Sequence, residues 1–171
     1  MKLNEYQKLA KETAIYPATI AYPALGLCGE TAELIIAMDD SDKKAVKEVG
    51  DCLWYVANLA FDCGLPLSEV FDMAEFPKSS DLDYKDFVLE KLILQAGLIA
   101  ETVKKAIRDN NGVVSGRKKL KIKTHLQEYV YFLNEAAHSV FTPLGKCAKM
   151  NIKKLRSRQE RNVLKGDGDE R

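Results

Sequence analysis

Gly29-Glu30-Thr31-Ala32-Glu33 is the most informative stretch of the sequence, together with Glu48-Val49-Gly50-Asp51 further along the chain. Each motif contains two acidic residues three positions apart, within a segment that is otherwise apolar. Residues at this spacing lie on the same face of an α-helix, so each pair directs two carboxylates toward one place. The pattern therefore predicts two consecutive helices with four carboxylates converging beside the core.

Four converging carboxylates repel one another and lose hydration, so such a cluster persists only where something neutralises it. A divalent cation that prefers oxygen ligands does so most simply. The alternative is a solvated acidic face, which is the usual meaning of one acidic pair on a helix. An amphipathic helix places its acids opposite its apolar stripe, whereas these acids share it. The spacing favours a metal site formed by an acid cluster, which consists of Glu30, Glu33, Glu48 and Asp51.

Composition and charge restrict the kind of ligand. The 171 residues are 46% hydrophobic and 30% charged, which is typical of a globular protein with a substantial core. A net charge of +1 argues against bulk attraction to nucleic acid or to a membrane surface. Basic residues are concentrated in residues 117–123 and 146–165, whereas the acid cluster lies in the first third. This asymmetry fits an anionic ligand that is bridged by a metal.

The cysteines and the apolar segments indicate the compartment. Cys28, Cys52, Cys63 and Cys147 show no CxxC spacing and lie in apolar helical segments, which predicts small buried thiols. The chain shows neither a signal-peptide pattern nor an apolar run of membrane-spanning length. We therefore expect a cytoplasmic protein with no membrane partner.

Hydrophobic periodicity predicts an all-α fold, because no segment with strand periodicity competes with the helical ones. Asn4-Glu5-Tyr6-Gln7 resembles a capping box that opens a first short helix. The two prolines in residues 16–23 predict an irregular connection. The other expected helices cover residues 24–38, a segment from about 43 to a C′ glycine at Gly64, and residues 68–75, 84–109, 118–138 and 144–161.

The two halves of the chain show the pattern of a diverged internal repeat. Residues 125–133 parallel residues 48–56. For the preceding helix two registers compete. One aligns Glu30 with Glu101 and keeps the most identities, and the other, shifted by six residues, aligns Glu30 with Gln95. In neither register does the second half keep all four acids.

These residues resemble the MazG-like branch of the all-α nucleoside triphosphate pyrophosphohydrolases, a superfamily that also contains the dimeric dUTPases. The pattern of that family is ExxE, a spacer and ExxD, which the acid cluster matches. A departure is Asn162, where the family often has glycine. Other stretches similar to the family are Asn4-Glu5-Tyr6-Gln7 with Thr13-Ala14-Ile15-Tyr16-Pro17, Gly50-Asp51-Cys52-Leu53-Trp54-Tyr55-Val56 and Asn151-Ile152-Lys153-Lys154-Leu155-Arg156-Ser157-Arg158.

The resemblance implies an enzyme that hydrolyses a nucleoside triphosphate to a nucleoside monophosphate and pyrophosphate with Mg²⁺, for which Mn²⁺ could substitute. The acid cluster would supply both the catalytic residues and the metal ligands, with Glu30 favoured for orienting the attacking water. Each predicted substrate contact also has a structural alternative. Trp54 could belong to the core, Asn58 could lie on a polar surface turn of its helix, and the basic residues could be solvated helix ends. Those predicted contacts are Asn58, Trp54, Lys104, Arg108, Lys154, Arg158 and Arg161.

The resemblance also implies a domain organisation. Residues 1–171 would form a single all-α MazG-like domain, a helical bundle of the NTP pyrophosphatase type whose internal duplication forms a pseudo-dimer. Repeat one, residues 1–76, would hold the metal, and residues 77–83 would be a linker. Repeat two, residues 84–161, would have degenerate acids and supply basic contacts, before a flexible tail over residues 162–171. A homodimer of such pseudo-dimers is a further expectation.

Two other functions stay open at this level. A helical module that binds or senses a nucleotide would keep the acid cluster without turnover. A helical interaction protein would use its apolar faces to form oligomers. The identity of the base is not decided by the sequence, because base discrimination depends on pocket shape and a few hydrogen bonds.

Overall fold

Seven helices make up the part of the chain that the computed structural model describes, residues 1–72 and 84–165. No strand occurs among these residues, which confirms the all-α prediction. The predicted linker over 77–83, the end of the short helix after residue 72 and the tail beyond residue 165 lie outside the described residues. The helices are α1 (Leu3–Glu12), α2 (Ala21–Asp40), α3 (Asp42–Asp62), α4 (Leu67–Val70), α5 (Tyr84–Asn110), α6 (Gly116–Ser139) and α7 (Leu144–Glu160).

Two helical hairpins form the centre of the fold. α2 packs on α3, α5 packs on α6, and the hairpins meet through α2–α5 and α3–α6 contacts. Leu27, Val56, Leu92 and Tyr129 are fully buried between them. Removing these large apolar side chains from water is the main favourable contribution to folding. α1, α4 and α7 pack around this four-helix core.

Local sequence signals explain how α3 begins and ends. Ser41 is the single residue between α2 and α3, and its hydroxyl oxygen accepts a hydrogen bond from the backbone N–H of Lys44. After α3, Gly64 takes a left-handed conformation with φ of 65°. The N–H of Leu65 then donates to the carbonyl of Ala60 at 2.8 Å, which closes the helix as a Schellman motif. Gly64 is therefore the C′ glycine that the sequence predicts.

The starts of the first two helices differ from the prediction. The residue that caps α1 is Lys2, whose backbone N–H donates to the carboxylate of Glu5 at 3.2 Å. Asn4 instead accepts a hydrogen bond from the backbone N–H of Ser68 at 2.9 Å. α2 begins at Ala21 and contains Pro23 in its first turn. Proline is tolerated there because the first N–H groups of a helix have no intrahelical partner.

The last helix, α7, packs on α3 rather than on its own preceding hairpin alone. Gly50 explains why the two helices can approach closely. A Cβ atom on Gly50 would lie 3.0 Å from Cβ of Asn151 and 3.1 Å from the carbonyl oxygen of Cys147. The missing side chain therefore allows the helix backbones to meet at this point.

Two further predictions concern the cysteines and the membrane. Cys52, Cys63 and Cys147 are buried free thiols, as predicted, and Cys28 is half-buried. Within the described part of the chain, no helix combines the length and apolar character that crossing a membrane requires.

Candidate functional site

The acid cluster lies where α2 and α3 face each other. Glu30, Glu33 and Glu48 each offer a carboxylate oxygen, and these oxygens all lie within 4.8 Å of one another. Glu30 and Glu48 are half-buried, whereas Glu33 is exposed. Oxygen ligands at this separation suit a hard divalent cation such as Mg²⁺. The three glutamates therefore fit the metal that the sequence predicts.

The raised pKa of Glu30 shows that burying these acids close together disfavours their ionised forms. Burial, together with the charges of Asp51, Glu33 and Glu48, raises the pKa of Glu30 to about 8. The neighbouring Lys154 lowers this pKa by a smaller amount. A carboxyl group in such a place is stabilised by a nearby cation, because positive charge favours its ionised form.

The fourth acid, Asp51, is held by α7. The side-chain amide of Asn151 donates to Asp51 Oδ1 at 2.5 Å. The ammonium group of Lys154 forms an ion pair with Asp51 Oδ2. Both contacts depend on the close approach of the two helices at Gly50. The end of the chain thus contributes a polar and a cationic group to an acidic site that begins in the first half.

A cleft with a volume of about 740 Å³ opens in front of the acid cluster. Its wall combines three kinds of side chain: the four acids, cationic groups from α7 and the following segment, and aromatic rings. A triphosphate with its metal and a base would find complementary chemistry in such a cleft. The cationic and aromatic side chains that line it are Lys154, Arg158, Lys165, Tyr16, Tyr22, Trp54 and Tyr55.

The aromatic rings form one continuous group, which we name the aromatic wall: Tyr16, Tyr22, Trp54 and Tyr55. Tyr16 and Tyr22 are stacked with ring centroids 4.5 Å apart. Trp54 meets Tyr16 and Tyr55 edge-on, at 6.2 and 4.9 Å. Edge-to-face and offset-stacked contacts of this kind hold aromatic rings in fixed orientations.

Of the predicted substrate contacts, Trp54, Lys154 and Arg158 line the cleft. Asn58 is not among the lining residues, because it is fully buried behind the aromatic wall. Its amide nitrogen donates to the carbonyl of Trp54 at 3.0 Å, and its amide oxygen accepts from the hydroxyl of Tyr16 at 3.2 Å. In the structure Asn58 supports the wall rather than facing a ligand.

The remaining basic residues in the prediction also lie away from the cleft. Lys104 is on α5 and pairs with Glu101, and Arg108 donates to Asp109 at 2.7 Å near the end of the same helix. Arg161 is exposed at the end of α7, where its Nε donates to the carbonyl of Ser157 at 3.3 Å. The structure therefore does not bring these three cations to the acid cluster.

Four residues of the site were not predicted from the sequence: Tyr16, Tyr22, Tyr55 and Asn151. Tyr16 and Tyr22 lie in the segment that was expected to be an irregular connection, and Tyr55 follows the single tryptophan of the chain, Trp54. Asn151 lies three positions before Lys154, so both occupy one face of α7. That spacing was the signal that could have identified Asn151.

A second polar cluster, the polar triad, lies on α5 and α6 and consists of Gln95, His125 and Glu128. The amide nitrogen of Gln95 donates to Glu128 Oε2 at 2.5 Å, and its amide oxygen lies 2.8 Å from Nδ1 of His125. Burial lowers the pKa of His125. The triad is thus joined by hydrogen bonds between side chains, with a single carboxylate.

Comparison with known proteins gives a family of phage proteins. The chain is 31% identical over 103 residues to "Gene 37 protein" of Mycobacterium phage L5, which covers 58% of this chain and 90% of the phage protein. The chain therefore belongs to the family of this phage protein. No protein-family model matches the chain. No solved structure matches it either.

Proposed function

We propose that this protein hydrolyses a nucleoside triphosphate to a nucleoside monophosphate and pyrophosphate with Mg²⁺. The observation that carries the proposal is the position of three glutamates, with oxygens within 4.8 Å of one another, in a cleft that is also lined by cations and aromatic rings. Water would attack the α-phosphorus, and the bond to the bridging oxygen would break to release pyrophosphate. The resemblance to MazG-like pyrophosphohydrolases supports the same reaction.

The acids and the cations of the cleft would have different roles in this reaction. The acid cluster would hold the metal, which supplies charge neutralisation and a more acidic bound water when present. Glu30 would orient or deprotonate the attacking water, since it lies among the other acids. Lys154 and Arg158 would bind phosphate oxygens, arginine as a fork and lysine as a point charge. Phosphoryl chemistry depends mainly on such positioning and charge stabilisation.

Burial supports the duplication that the resemblance implies. When α2 and α5 are aligned in the register shifted by six residues, all six buried residues of α2 coincide with buried residues of α5. In the other register only two of the six do. The six pairs are Pro23 with Val88, Ala24 with Leu89, Leu27 with Leu92, Thr31 with Ala96, Leu34 with Ile99, and Ala37 with Thr102.

The turns after α3 and α6 support it independently. Gly64 and Phe141 both have a left-handed backbone, with φ of 65° and 52°. A proline lies two residues after each of them, and these prolines, Pro66 and Pro143, are the N-cap residues of α4 and α7 respectively. The backbone N–H of Leu65 donates to Ala60 in the first turn, and that of Thr142 donates to Ala137 in the second, at 2.8 and 3.0 Å. In the proposed duplication, α7 would therefore correspond to α4.

In this interpretation the halves form a pseudo-dimer with one metal site. The polar triad occupies the positions of Glu30, Glu48 and Asp51 in the second half, and Leu98 occupies that of Glu33. Because α7 packs on α3, the second half supplies Asn151 and Lys154 to the site of the first half. Pairing of two such chains and a cytoplasmic location stay predictions.

The test is an assay of pyrophosphate release. The purified protein is incubated with canonical nucleoside triphosphates and with MgCl₂ or MnCl₂, and pyrophosphate and nucleoside monophosphate are quantified. The two products should form in equal amounts. Glu33→Ala and Asp51→Ala should abolish release while leaving the circular dichroism spectrum unchanged. Magnesium-dependent nucleotide binding without any product would instead establish a nucleotide-sensing module.

A further inference from the structure

A buried tyrosine of the second half reaches across the four-helix core to the helix that carries Glu30 and Glu33. The hydroxyl oxygen of Tyr129 on α6 lies 2.7 Å from Oγ1 of Thr31 on α2, and we name these two side chains the hydroxyl pair. Both residues are buried, with exposed fractions of 0% and 2%. α2 and α6 are diagonal in the core, since each of them packs on α3 and on α5. The hydroxyl pair therefore connects two helices across the bundle.

The direction of this hydrogen bond follows from a second contact of Thr31. Its Oγ1 donates to the carbonyl oxygen of Leu27, one turn earlier on α2, at 2.6 Å. A threonine hydroxyl has a single proton, and it accepts further hydrogen bonds through its lone pairs. Because that proton is already used, the phenol of Tyr129 is the donor to Thr31. The hydrogen bonds thus run from α6 through Thr31 to the backbone of α2.

The same phenol also contacts α3, the other helix that carries acids. Its partner there is the thiol of Cys52, which is fully buried and directly follows Asp51. Burial is the main reason why the pKa of Tyr129 is raised, and its hydrogen bond with Cys52 acts in the same direction. A phenol oxygen can accept a hydrogen bond while its proton is donated elsewhere. Tyr129 therefore joins α2 to α3 behind the acid cluster.

The polar triad has different residues at the equivalent places. In the proposed duplication, the register that burial supports aligns Thr31 with Ala96, which has no hydroxyl. The alignment of α3 with α6 pairs Cys52 with Tyr129. An alanine and a thiol thus stand behind the polar triad where the hydroxyl pair stands behind the acid cluster. Burying hydroxyl groups costs desolvation, so their position at the acidic side alone indicates a role in that site beyond filling the core.

We infer that Tyr129 is a positioning residue for the metal site: its phenol fixes α2 against α3, so that the acid cluster keeps the separation that a divalent cation requires. The inference rests on the proposed function and adds to it a residue of the second half that is too deeply buried to touch metal or substrate. Thr31 is the link on α2, where it lies between Glu30 and Glu33, and Cys52 is the link on α3. Ligands that are already held in place lose less freedom when a cation binds, which raises the affinity.

The experiment measures the affinity for Mn²⁺ by isothermal titration calorimetry, on chelator-treated protein well below the melting temperature of every variant. Tyr129→Phe deletes the hydroxyl and keeps the ring, and Thr31→Val deletes the other hydroxyl at similar volume. Each change should weaken Mn²⁺ binding by roughly tenfold, the lower end of the range for losing a group that orients a metal ligand. Thr31→Ser keeps a hydroxyl and should bind Mn²⁺ as the unaltered protein does.

A double variant and a matched control separate positioning from general loosening of the core. Tyr129→Phe and Thr31→Val remove the same hydrogen bond, so the double variant should bind Mn²⁺ about as weakly as either single variant. The control is Thr102→Val on α5. Thr102 is also buried, and its Oγ1 donates to the carbonyl oxygen of Leu98 at 2.9 Å, one turn earlier on its helix. This variant should have a lower urea midpoint and an unchanged affinity for Mn²⁺.

Two results would overturn the inference. Lower urea midpoints with unchanged Mn²⁺ affinity in Tyr129→Phe and Thr31→Val would show that the hydroxyl pair only stabilises the core. Losses of affinity that multiply in the double variant would show that the two hydroxyls do not act through one bond.

Metal affinity and turnover together distinguish this inference from the proposed function. If Tyr129→Phe weakens Mn²⁺ binding but the unaltered protein hydrolyses no nucleotide, the hydrolase proposal fails and the positioning role stands. If the unaltered protein hydrolyses nucleotides and Tyr129→Phe changes neither kcat nor the affinity for Mn²⁺, the positioning role fails and the hydrolase proposal stands.

Discussion

The contact between α3 and α7 differs from the contact between α6 and α4 at one decisive position. On α3, Gly50 leaves room for α7, which brings Asn151 and Lys154 to Asp51. In the proposed repeat the corresponding residue on α6 is Gln127, whose amide donates to the carbonyl oxygens of Glu69 and Asp72 at 3.0 and 2.9 Å. α7 therefore continues as a long helix beside the acid cluster, whereas α4 ends after one turn, next to Gln127.

The polar groups beside these contacts differ in the same sense. The acid cluster gathers four carboxylates, and burial together with the neighbouring charges raises the pKa of Glu30. The polar triad has one carboxylate, which accepts from Gln95, and Gln95 also contacts His125. Within the described part of the chain, Nε2 of His125 is buried and has no hydrogen-bond partner. In the proposed repeat, one pair of helices therefore gathers several carboxylates, and the equivalent pair carries a hydrogen-bonded cluster with a single carboxylate.

The largest expected effect is a loss of activity when an acid of the acid cluster is replaced, compared with the acid of the polar triad. Glu33→Gln should reduce pyrophosphate release by at least roughly 100-fold, the range for removing a group that stabilises transition-state charge. Glu128→Gln, in the polar triad, should leave the rate within about twofold, because we place no metal there. Steady-state assays with saturating Mg²⁺ measure both variants. Equal losses in the two variants would remove the distinction between the two clusters.

Asn151 provides the next test, because it holds Asp51 from α7. Asn151→Leu keeps the volume of the side chain but deletes the hydrogen bond of 2.5 Å to Asp51 Oδ1. The affinity for Mn²⁺, measured by isothermal titration calorimetry, should fall by roughly 10- to 100-fold, as is typical when a group that orients a metal ligand is lost. Unchanged affinity would show that α7 is not part of the metal site. Gln159→Ala, on the same helix, is the control.

Exchanging the decisive residue tests the packing itself. Gly50→Gln places on α3 the side chain that α6 has, and it must displace Asn151 or the backbone at Cys147. Overpacking of this kind costs about 1–3 kcal/mol. The free energy of unfolding in urea should fall accordingly. Gln127→Ala, which removes two hydrogen bonds to carbonyl oxygens, should cost only about 1 kcal/mol. A larger loss for Gln127→Ala than for Gly50→Gln would reverse the comparison.

A further expected effect is a pH dependence of stability that has opposite sign in the two regions. The pKa of Glu30 rises from 4.5 to about 8 in the folded protein, so its contribution favours folding below pH 4.5 and is lost as the pH rises toward 8. The pKa of His125 is lowered from 6.5 by burial, so its contribution is present above pH 6.5 and is lost as the pH falls.

Thermal melts of the chelator-treated protein between pH 4.5 and 8 measure both contributions. Glu30→Gln should remove the loss of stability with rising pH, and His125→Gln should remove the opposite trend. A wild-type profile that Glu30→Gln leaves unaltered would contradict the assigned cause.

How much the sequence could predict depended on whether a signal was local. The helices and the convergence of the acids followed from periodicity, which involves neighbours along the chain. The bond between Asn151 and Asp51 joins residues 100 positions apart, and no periodicity specifies such a pair. The basic segment at Lys104 and Arg108 matched a sequence pattern, but a pattern does not tell which end of a bundle faces the cleft.

Burial also could not be read from residue type alone. Asn58 is polar, yet it is fully buried because the hydroxyl of Tyr16 and the carbonyl of Trp54 satisfy its amide. Conversely, Tyr22 lies in the first turn of α2, whereas the two prolines in residues 16–23 predicted an irregular connection there. The tertiary partners of both residues decided their places, and those partners lie outside the windows in which periodicity is measured.

The contact between Asp51 and Lys154 lies within a single chain, and this has a consequence for dilution. Where two separate polypeptides build such a site together, its occupancy follows their concentration and disappears below the dissociation constant. Here covalent connection fixes the local concentration of α7 beside α3. The complete set of acidic and basic groups therefore persists at any protein concentration, and the specific activity of the chain should be the same at nanomolar and micromolar levels.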